Sequence, residues 1–384
     1  MNWWLTFIAG WVLALCWMAS GFRMVRFFSS RTLDRCAGKL FDPETWPSVS
    51  VIFAARNEAN TIEPALRSLA GMDYPNMEVI AVNDRSSDGT GQIVERIGAE
   101  AANVRFLHIN HLPENWLGKC HALHRGALQA SGDLLLFTDG DVRFAADTLR
   151  LAVRFLKWDR CDHLVLCPRM LSRNYWEDAV KGFFALAYFT ATRAWAVSGP
   201  SKRAYIGIGA FNLVSRAAYE RIGGHESLRL EVADDLMLGK RIKQHGYRQN
   251  VLIAPKHLRL HWVEGVGGFV QGLEKNAFAS LDFSILRLLG ATGLMILFNA
   301  VPYLGLLMFR DVRISGYLAA VLVMHTVFGW CTSRNGKGWR LLPVYPIAAG
   351  IFFWTMWRSA LVTLRRGGVL WRDTFYPVRI LKRK

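Results

Sequence analysis

Asp139 and Asp141 stand one residue apart at the end of the apolar run Leu134-Leu135-Leu136-Phe137-Thr138. The run reads as a buried parallel strand, and ligands of open α/β sheets bind where such strands end. Paired carboxylates suit a hard, oxygen-loving divalent cation such as Mg2+ or Mn2+. A cation held there neutralises a diphosphate and stabilises it as a leaving group. Loops carry aspartate for turn chemistry alone, so the pair takes its meaning from its company along the chain.

That company is polar and falls at further strand ends. Ala55-Arg56-Asn57-Glu58 closes one apolar run, and Val82-Asn83-Asp84-Arg85-Ser86-Ser87-Asp88-Gly89-Thr90 closes the next. Carboxylates and amides at neighbouring strand ends hydrogen-bond a nucleobase and its ribose. Asp84, directly at the strand end, reads as a ligand contact, whereas Asp88 and Thr90 read as a turn and a helix cap. A fourth segment, Glu231-Val232-Ala233-Asp234-Asp235, follows a glycine-rich turn at Gly207-Ile208-Gly209 that leads into a strand through Val214. Its two aspartates either cap a helix from Leu236 to His245 or face a cleft, and one carboxylate can do both. Gly223-Gly224-His225 reads as another turn. His108, His111, His121 and His124 make no convincing zinc set, and the six cysteines have no CxxC spacing.

These residues need a scaffold that brings strand ends together. Between Pro47 and Trp262 short apolar runs alternate with helical patterns, as βαβ units demand. Strands are expected at Ser48–Ala55, Val79–Val82, Val104–Ile109 and Leu134–Thr138. Helices are expected at Ala59–Leu69, Thr90–Ile97 and His121–Ala130. The pattern implies a doubly wound α/β sheet binding ligand at its strand ends.

Taken in order, the motifs resemble those of family 2 glycosyltransferases. The resemblance rests on the Asn57-Glu58 pair, the NDxSxDGT pattern from Asn83 to Thr90, the DxD at Asp139-Gly140-Asp141, and Trp116-Leu117-Gly118-Lys119-Cys120-His121-Ala122. The last is similar to the WxGKxxA segment of membrane-bound, lipid-modifying members. It implies a GT-A (nucleotide-diphospho-sugar transferase, Rossmann-like) fold. It also implies Asp139 and Asp141 on metal-diphosphate, substrate contacts from Ala55, Asn57, Glu58, Asp84 and Lys119, and Asp235 as catalytic base with Asp234 beside it. Processive synthases of the family carry a Gln-x-x-Arg-Trp segment, and this chain has no Arg-Trp dipeptide. In its place stand His261-Trp262-Val263-Glu264 and, further on, Lys275. Trp262 either stacks on a sugar or acceptor or anchors at a membrane interface; Lys275 either faces phosphate or does the same. The missing dipeptide argues for transfer of one sugar rather than polymerisation.

The 384 residues are 52% hydrophobic and carry a net charge of +17, with a pI near 9.9. The apolar residues cluster. Trp3 to Phe22 has the length of a membrane-crossing helix and, lacking a basic leader, reads as an anchor rather than a cleaved signal peptide. Arg23, Arg26, Arg31, Arg35 and Lys39 then place the following segment in the cytoplasm. Three more candidate spans lie near Ile285–Phe309, Ile314–Cys331 and Leu341–Leu364. The expected organisation is therefore an anchor and basic linker (1–46), a cytoplasmic GT-A domain (47–262), and an interfacial segment with about three spans and a basic tail (263–384). Four spans put the tail from Arg365 to Lys384 on the side opposite the catalytic segment, against the positive-inside rule. A re-entrant or interfacial segment resolves that conflict, and the loop Arg334–Arg340 suits the cytoplasm. The basic excess tracks the spans and no nucleic-acid recognition motif is present, so anionic headgroups rather than nucleic acid are its expected partner. The aromatic stretch Tyr175–Val197 reads either as an amphipathic helix lying on the membrane or as one packed on the protein's own sheet.

The expectation is an inverting, multi-pass enzyme of the inner membrane. It would move one sugar from a nucleotide-diphospho-sugar, a UDP-sugar first, to a hydroxyl of a hopanoid, carotenoid-like, ceramide or diacylglycerol lipid. A polysaccharide synthase and a catalytically inactive nucleotide-sugar-binding membrane protein are the competing readings.

Overall fold

The apolar runs of the central segment are rich in Val, Ile, Leu and Phe, too short for helices and bounded by turn residues, and they form strands. A computed structural model of the chain describes residues 2–38, 40–333 and 338–382. Lys39, part of the loop Arg334–Arg340 and the last two residues of the basic tail therefore lie outside the described residues. The chain divides into two compact units, one made of Ser30–Leu171 and Thr192–Trp262, the other of Met1–Ser29, Ser172–Ala191 and Val263–Lys384.

The first unit is built on a seven-stranded mixed sheet. Its strands are Val49–Ala55 (β1), Met77–Asp84 (β2), Val104–Ile109 (β3), Leu134–Asp139 (β4), His163–Cys167 (β5), Asn212–Ser215 (β6) and Gln249–Ile253 (β7). Their order across the sheet is β3-β2-β1-β4-β6-β5-β7. Strands β3, β2, β1 and β4 run parallel, with Ala55 opposite Asn83 and Ala54 opposite Asp139. The chain winds outward from β1 to β3 and then returns to the other side of β1. The crevice between the ends of β1 and β4 is thus a topological switch point, where loops diverge and ligands fit.

The sequence pattern suggests a parallel sheet, but β6 runs antiparallel to both β4 and β5. This reversal matters for the site. Because Phe137 pairs with Asn212, the loop that enters β6 lies at the same edge where β4 ends. Gly209 therefore approaches Asp139 at the end of β4, and Gly207 the backbone of Asp235, rather than the far edge. Buried side chains line both faces of the sheet, among them Val51, Phe53, Leu66 and Leu136 on one and Ile52, Ile80, Leu135 and Leu238 on the other.

The second unit is helical. Among the described residues, four helical segments are long and apolar enough to cross a membrane: Trp3–Ser30, Ile285–Met308, Ile314–Ser333 and Gly338–Arg366. Large apolar side chains point outward from them, such as Phe22, Leu286 and Leu307. A π-helical turn, Ile296–Ala300, interrupts the second. Its Asn299 accepts from Tyr345, while Tyr303 meets His325, so polar groups are satisfied between helices.

The aromatic stretch forms the helix Tyr175–Ala191 and belongs to this helical unit rather than packing as a sheet helix. Phe183 meets Tyr345 and Phe352, and Phe189 meets Phe27 and Phe28. Glu177 and Lys181, polar positions in an amphipathic reading, are instead buried and paired at 3.2 Å. Glu177 also accepts from the backbone N–H of Arg173 and Gly265. A buried charge pair of this kind needs those extra hydrogen bonds to be tolerated.

Candidate active site

At the ends of β1 and β2 the polar residues organise one another. Asn57 and Arg85 adopt left-handed backbone conformations, φ +53° and +52°, which turn the chain sharply off the strands. Asn57 Oδ1 accepts from the Ser87 N–H at 2.8 Å. Asp88 accepts from the Thr90 N–H and hydroxyl and from the Ala59 N–H, the turn-and-cap role expected of it. Burial opposes its charge, but those donors hold its carboxyl below the usual range. Ala55 closes β1 and is buried. Asp84 is 4% exposed, and Arg85 donates to both its oxygens at 2.7 and 3.0 Å.

The helix Gly118–Gln129 begins beside this pair, since a Cβ on Gly118 would lie 2.6 Å from Asp84 Oδ2. Its N-terminus, the positive end of the helix dipole, favours the nearby carboxylates. Lys119 follows, and here the motif's residues converge. Its Nζ donates to Asp139 Oδ1 at 2.7 Å and lies 3.5 Å from Asp234 Oδ1. Burial opposes the charge on Lys119, but Asp139, Asp234 and Asp235 outweigh it and hold the ammonium protonated.

Asp234 and Asp235 form the first turn of the helix Asp234–Gln244, with Ala233 in the capping position. The capping alternative is met only in part: Asp235 Oδ1 accepts from the adjacent Leu236 N–H at 2.7 Å. Burial, then Asp234, raises the Asp235 carboxyl to about 6, although Lys119 opposes the shift. Asp141 is raised to about 7 by burial and by the charges of Asp139 and Glu58. Glu58 is close, since a Cβ on Gly140 would lie 2.6 Å from its Oε2.

Several like charges thus crowd at the switch point. That crowding fits a divalent cation, which prefers oxygen donors and relieves repulsion between carboxylates. Among the described residues, no group of three or more His, Cys, Asp or Glu side chains is arranged to hold an ion by itself.

Three contributors escape a reading of the sequence. Gly209 admits no side chain, because its Cβ would lie 2.2 Å from Asp139 Oδ2. His225, read as part of a turn, is 1% exposed and bonds the Tyr219 hydroxyl through Nδ1 at 2.9 Å. Burial, then the Lys119 and His124 charges, pushes its imidazole down to about 3, so it stays neutral. Asn212 joins Lys119, Gly209, His225 and Asp235 around a cavity of about 10 Å³, room for roughly one water molecule. No spacing signal marks these residues, because β6 and the turn after it reach the site only through the antiparallel pairing. Trp262 packs partly buried on the sheet unit's core. Lys275 lies in the helical unit with its Nζ 3.8 Å from the ring centre of Trp371.

Comparison with known proteins agrees with this geometry. Residues 50–223 match the model of the family described as Glycosyl transferase family 2. A 4,4'-diaponeurosporenoate glycosyltransferase of Staphylococcus aureus is 24% identical over 340 residues, covering 86% of this chain and 88% of the relative. A solved structure, the mannosyltransferase PcManGT from Pyrobaculum calidifontis in complex with GDP-Man and Mn2+, aligns with 90% of this chain and 99% of its own. The TM-score is 0.50 at 22% identity, which shows a shared fold. The expected GT-A α/β architecture is therefore present, with helices apolar enough to span a membrane at both ends of the chain.

Proposed function

With residues 50–223 a glycosyl transferase family 2 domain, we propose that this glycosyltransferase moves a single sugar from a nucleotide-diphospho-sugar to a hydroxyl of a membrane lipid, with inversion at the anomeric carbon. The observation that carries the reading is the convergence of Asp139, Asp234 and Asp235 on Lys119, with Asp235 raised to about 6. A carboxylate poised near neutrality is a competent general base.

In this reading Asp84, Asn57, Glu58 and the end of β1 at Ala55 hold the nucleotide. Asp139 and Asp141 would hold Mg2+ or Mn2+, which when bound neutralises the diphosphate and eases its departure. The diphosphate oxygens would complete a ligand set that the protein alone does not. Lys119 holds Asp139 and Asp234 in place through its ion pairs. Asp235 takes the proton from the acceptor hydroxyl as its oxygen bonds to the anomeric carbon; the bond from that carbon to the diphosphate breaks, and nucleoside diphosphate leaves. His225, neutral and fixed by Tyr219, lines the cavity beside Asp235 and keeps a second positive charge from it.

The relative's name supports a lipid acceptor of carotenoid type, and the neighbour's bound GDP-Man and Mn2+ support a nucleotide-sugar donor with a divalent metal. A UDP-sugar remains the first donor to test, with GDP-sugars beside it. The four apolar helices support an inner-membrane enzyme whose segment 47–262 works on the cytoplasmic face.

The test is nucleotide release by detergent-purified protein across UDP- and GDP-sugars, with Mn2+ or Mg2+, with and without extracted membrane lipid. Lipid-stimulated release with one donor, lost in Asp141→Asn, is the expected result. Long polymer products, or donor binding without turnover under every condition, would overturn it.

A further inference from the structure

We infer that the hairpin at the C-terminal end of the helical unit is a binding site for the headgroups of anionic phospholipids. The strands Gly368–Trp371 and Thr374–Pro377 pair antiparallel and follow immediately on the helix Tyr345–Arg366, the main part of one segment long and apolar enough to cross a membrane. Arg372 and Asp373, at φ +44° and +66°, make the tight turn between them.

Side chains alternate across the two faces of such a ribbon. On the inner face Val369 and Tyr376 are paired and buried, and Trp371 lies under the Lys275 ammonium. Arg358 and Arg366 both pair with Glu274, at 3.0 and 3.1 Å, and fix the foot of the hairpin within the same unit. On the outer face Leu370 stands directly opposite Phe375, and these two large apolar side chains are 53% and 49% exposed.

Exposed cations flank that apolar pair along the chain. Arg365, Arg372, Arg379 and Lys382 are exposed, with Asp373 the acidic residue among them. An apolar prong flanked in sequence by arginine and lysine, beginning where an apolar helix ends, is the composition of a segment lying at a bilayer surface. The prong reaches the acyl boundary, and the cations meet phosphate. Free phosphate would satisfy the cations but not cover Leu370 and Phe375. A second copy of the chain would bring like charge against like, so charge complementarity selects an anionic bilayer as the occupant.

The experiment uses the full chain in lipid nanodiscs of phosphatidylcholine, with or without phosphatidylglycerol, and follows amide hydrogen exchange over residues 368–377. Exchange should slow about tenfold when phosphatidylglycerol is present. The triple variant Arg372→Gln, Arg379→Gln, Lys382→Gln should lose that difference, and Leu370→Ser with Phe375→Ser should reduce it. Slow exchange in Tyr345–Arg366 verifies in each sample that the unit is folded. Equal exchange in both lipids, or a difference that survives the triple variant, overturns the inference. Protection by inorganic phosphate alone, or protection that grows with protein concentration in detergent, overturns it in favour of a free anion or a second copy.

Discussion

The ends of β2 and β4 present aspartates to the same edge of one sheet, yet hold them in opposite electrostatic states. After β2, Asp88 draws donors from Thr90 and Ala59, and Asp84 is clasped by its own neighbour Arg85. After β4, Asp139 pairs with Lys119 beside Asp234 and Asp235, and Asp141 lies among the charges of Asp139 and Glu58. The first region is satisfied by donors from its own loop and from the loop after β1. The second gathers like charges from separate segments, and the carboxyls of Asp141 and Asp235 rise accordingly. A region in which carboxylates raise one another is one that a cation and a proton-bearing acceptor can complete.

The sharpest test of that contrast sets Asp235→Asn beside Asp88→Asn. Turnover should fall about 10²- to 10⁴-fold in the first while nucleotide-sugar binding, measured by titration calorimetry, stays near wild type. The second should retain most of its turnover. Normal turnover by Asp235→Asn would remove it from the role of base.

Lys119→Gln is next in size. It leaves Asp139 and Asp234 without their cation, so donor affinity and turnover should both drop, and stability should fall by about 1–3 kcal/mol in denaturant titration. An unchanged donor affinity would show that Lys119 does not organise the donor side.

A smaller effect follows from pH. Asp235 and Asp141 have folded values of about 6 and 7 against 3.8 for the free side chain. The folded state therefore binds more protons, and metal-free protein should lose stability as pH rises from about 4 to about 7. Thermal melts in detergent should show a fall of roughly 5 °C over that window, diminished by Mn2+. Glu78 gives the opposite sign. Burial opposes its charge, but hydrogen bonds from Ser50, Ser131 and Arg105 lower it to about 2, so its contribution is present at neutral pH and disappears as pH falls from about 4 toward 2. Asp88→Ala, the mildest change, removes a local cap and should cost about 1 kcal/mol of stability without altering the pH profile of transfer.

The parallel half of the sheet was legible because its strands are apolar, short and separated by helical patterns; Val104–Ile109 appears as expected, and no other boundary there shifts by more than three residues. Asp139 and Lys119 were legible as motif members, but their contact was not, since 20 residues and a strand separate them. The reversal of β6 was illegible, because Asn212–Ser215 reads the same in either direction. With it went the places of Gly209 and His225. Glu177 and Lys181 misled for a related reason: their spacing describes an exposed polar stripe, and only packing reveals that they are buried and satisfy each other.

Local stretches of chain dictate which chemical groups exist and which strand ends carry them, because hydrophobic period and turn residues act over a few positions. Packing alone brings Asp139, Asp234 and Asp235 to one lysine, sets a glycine against Asp139, and stands Leu370 and Phe375 outward together. Those outcomes depend on strand direction and on long-range electrostatics, which arise when distant segments pack and are written in no local stretch of the chain.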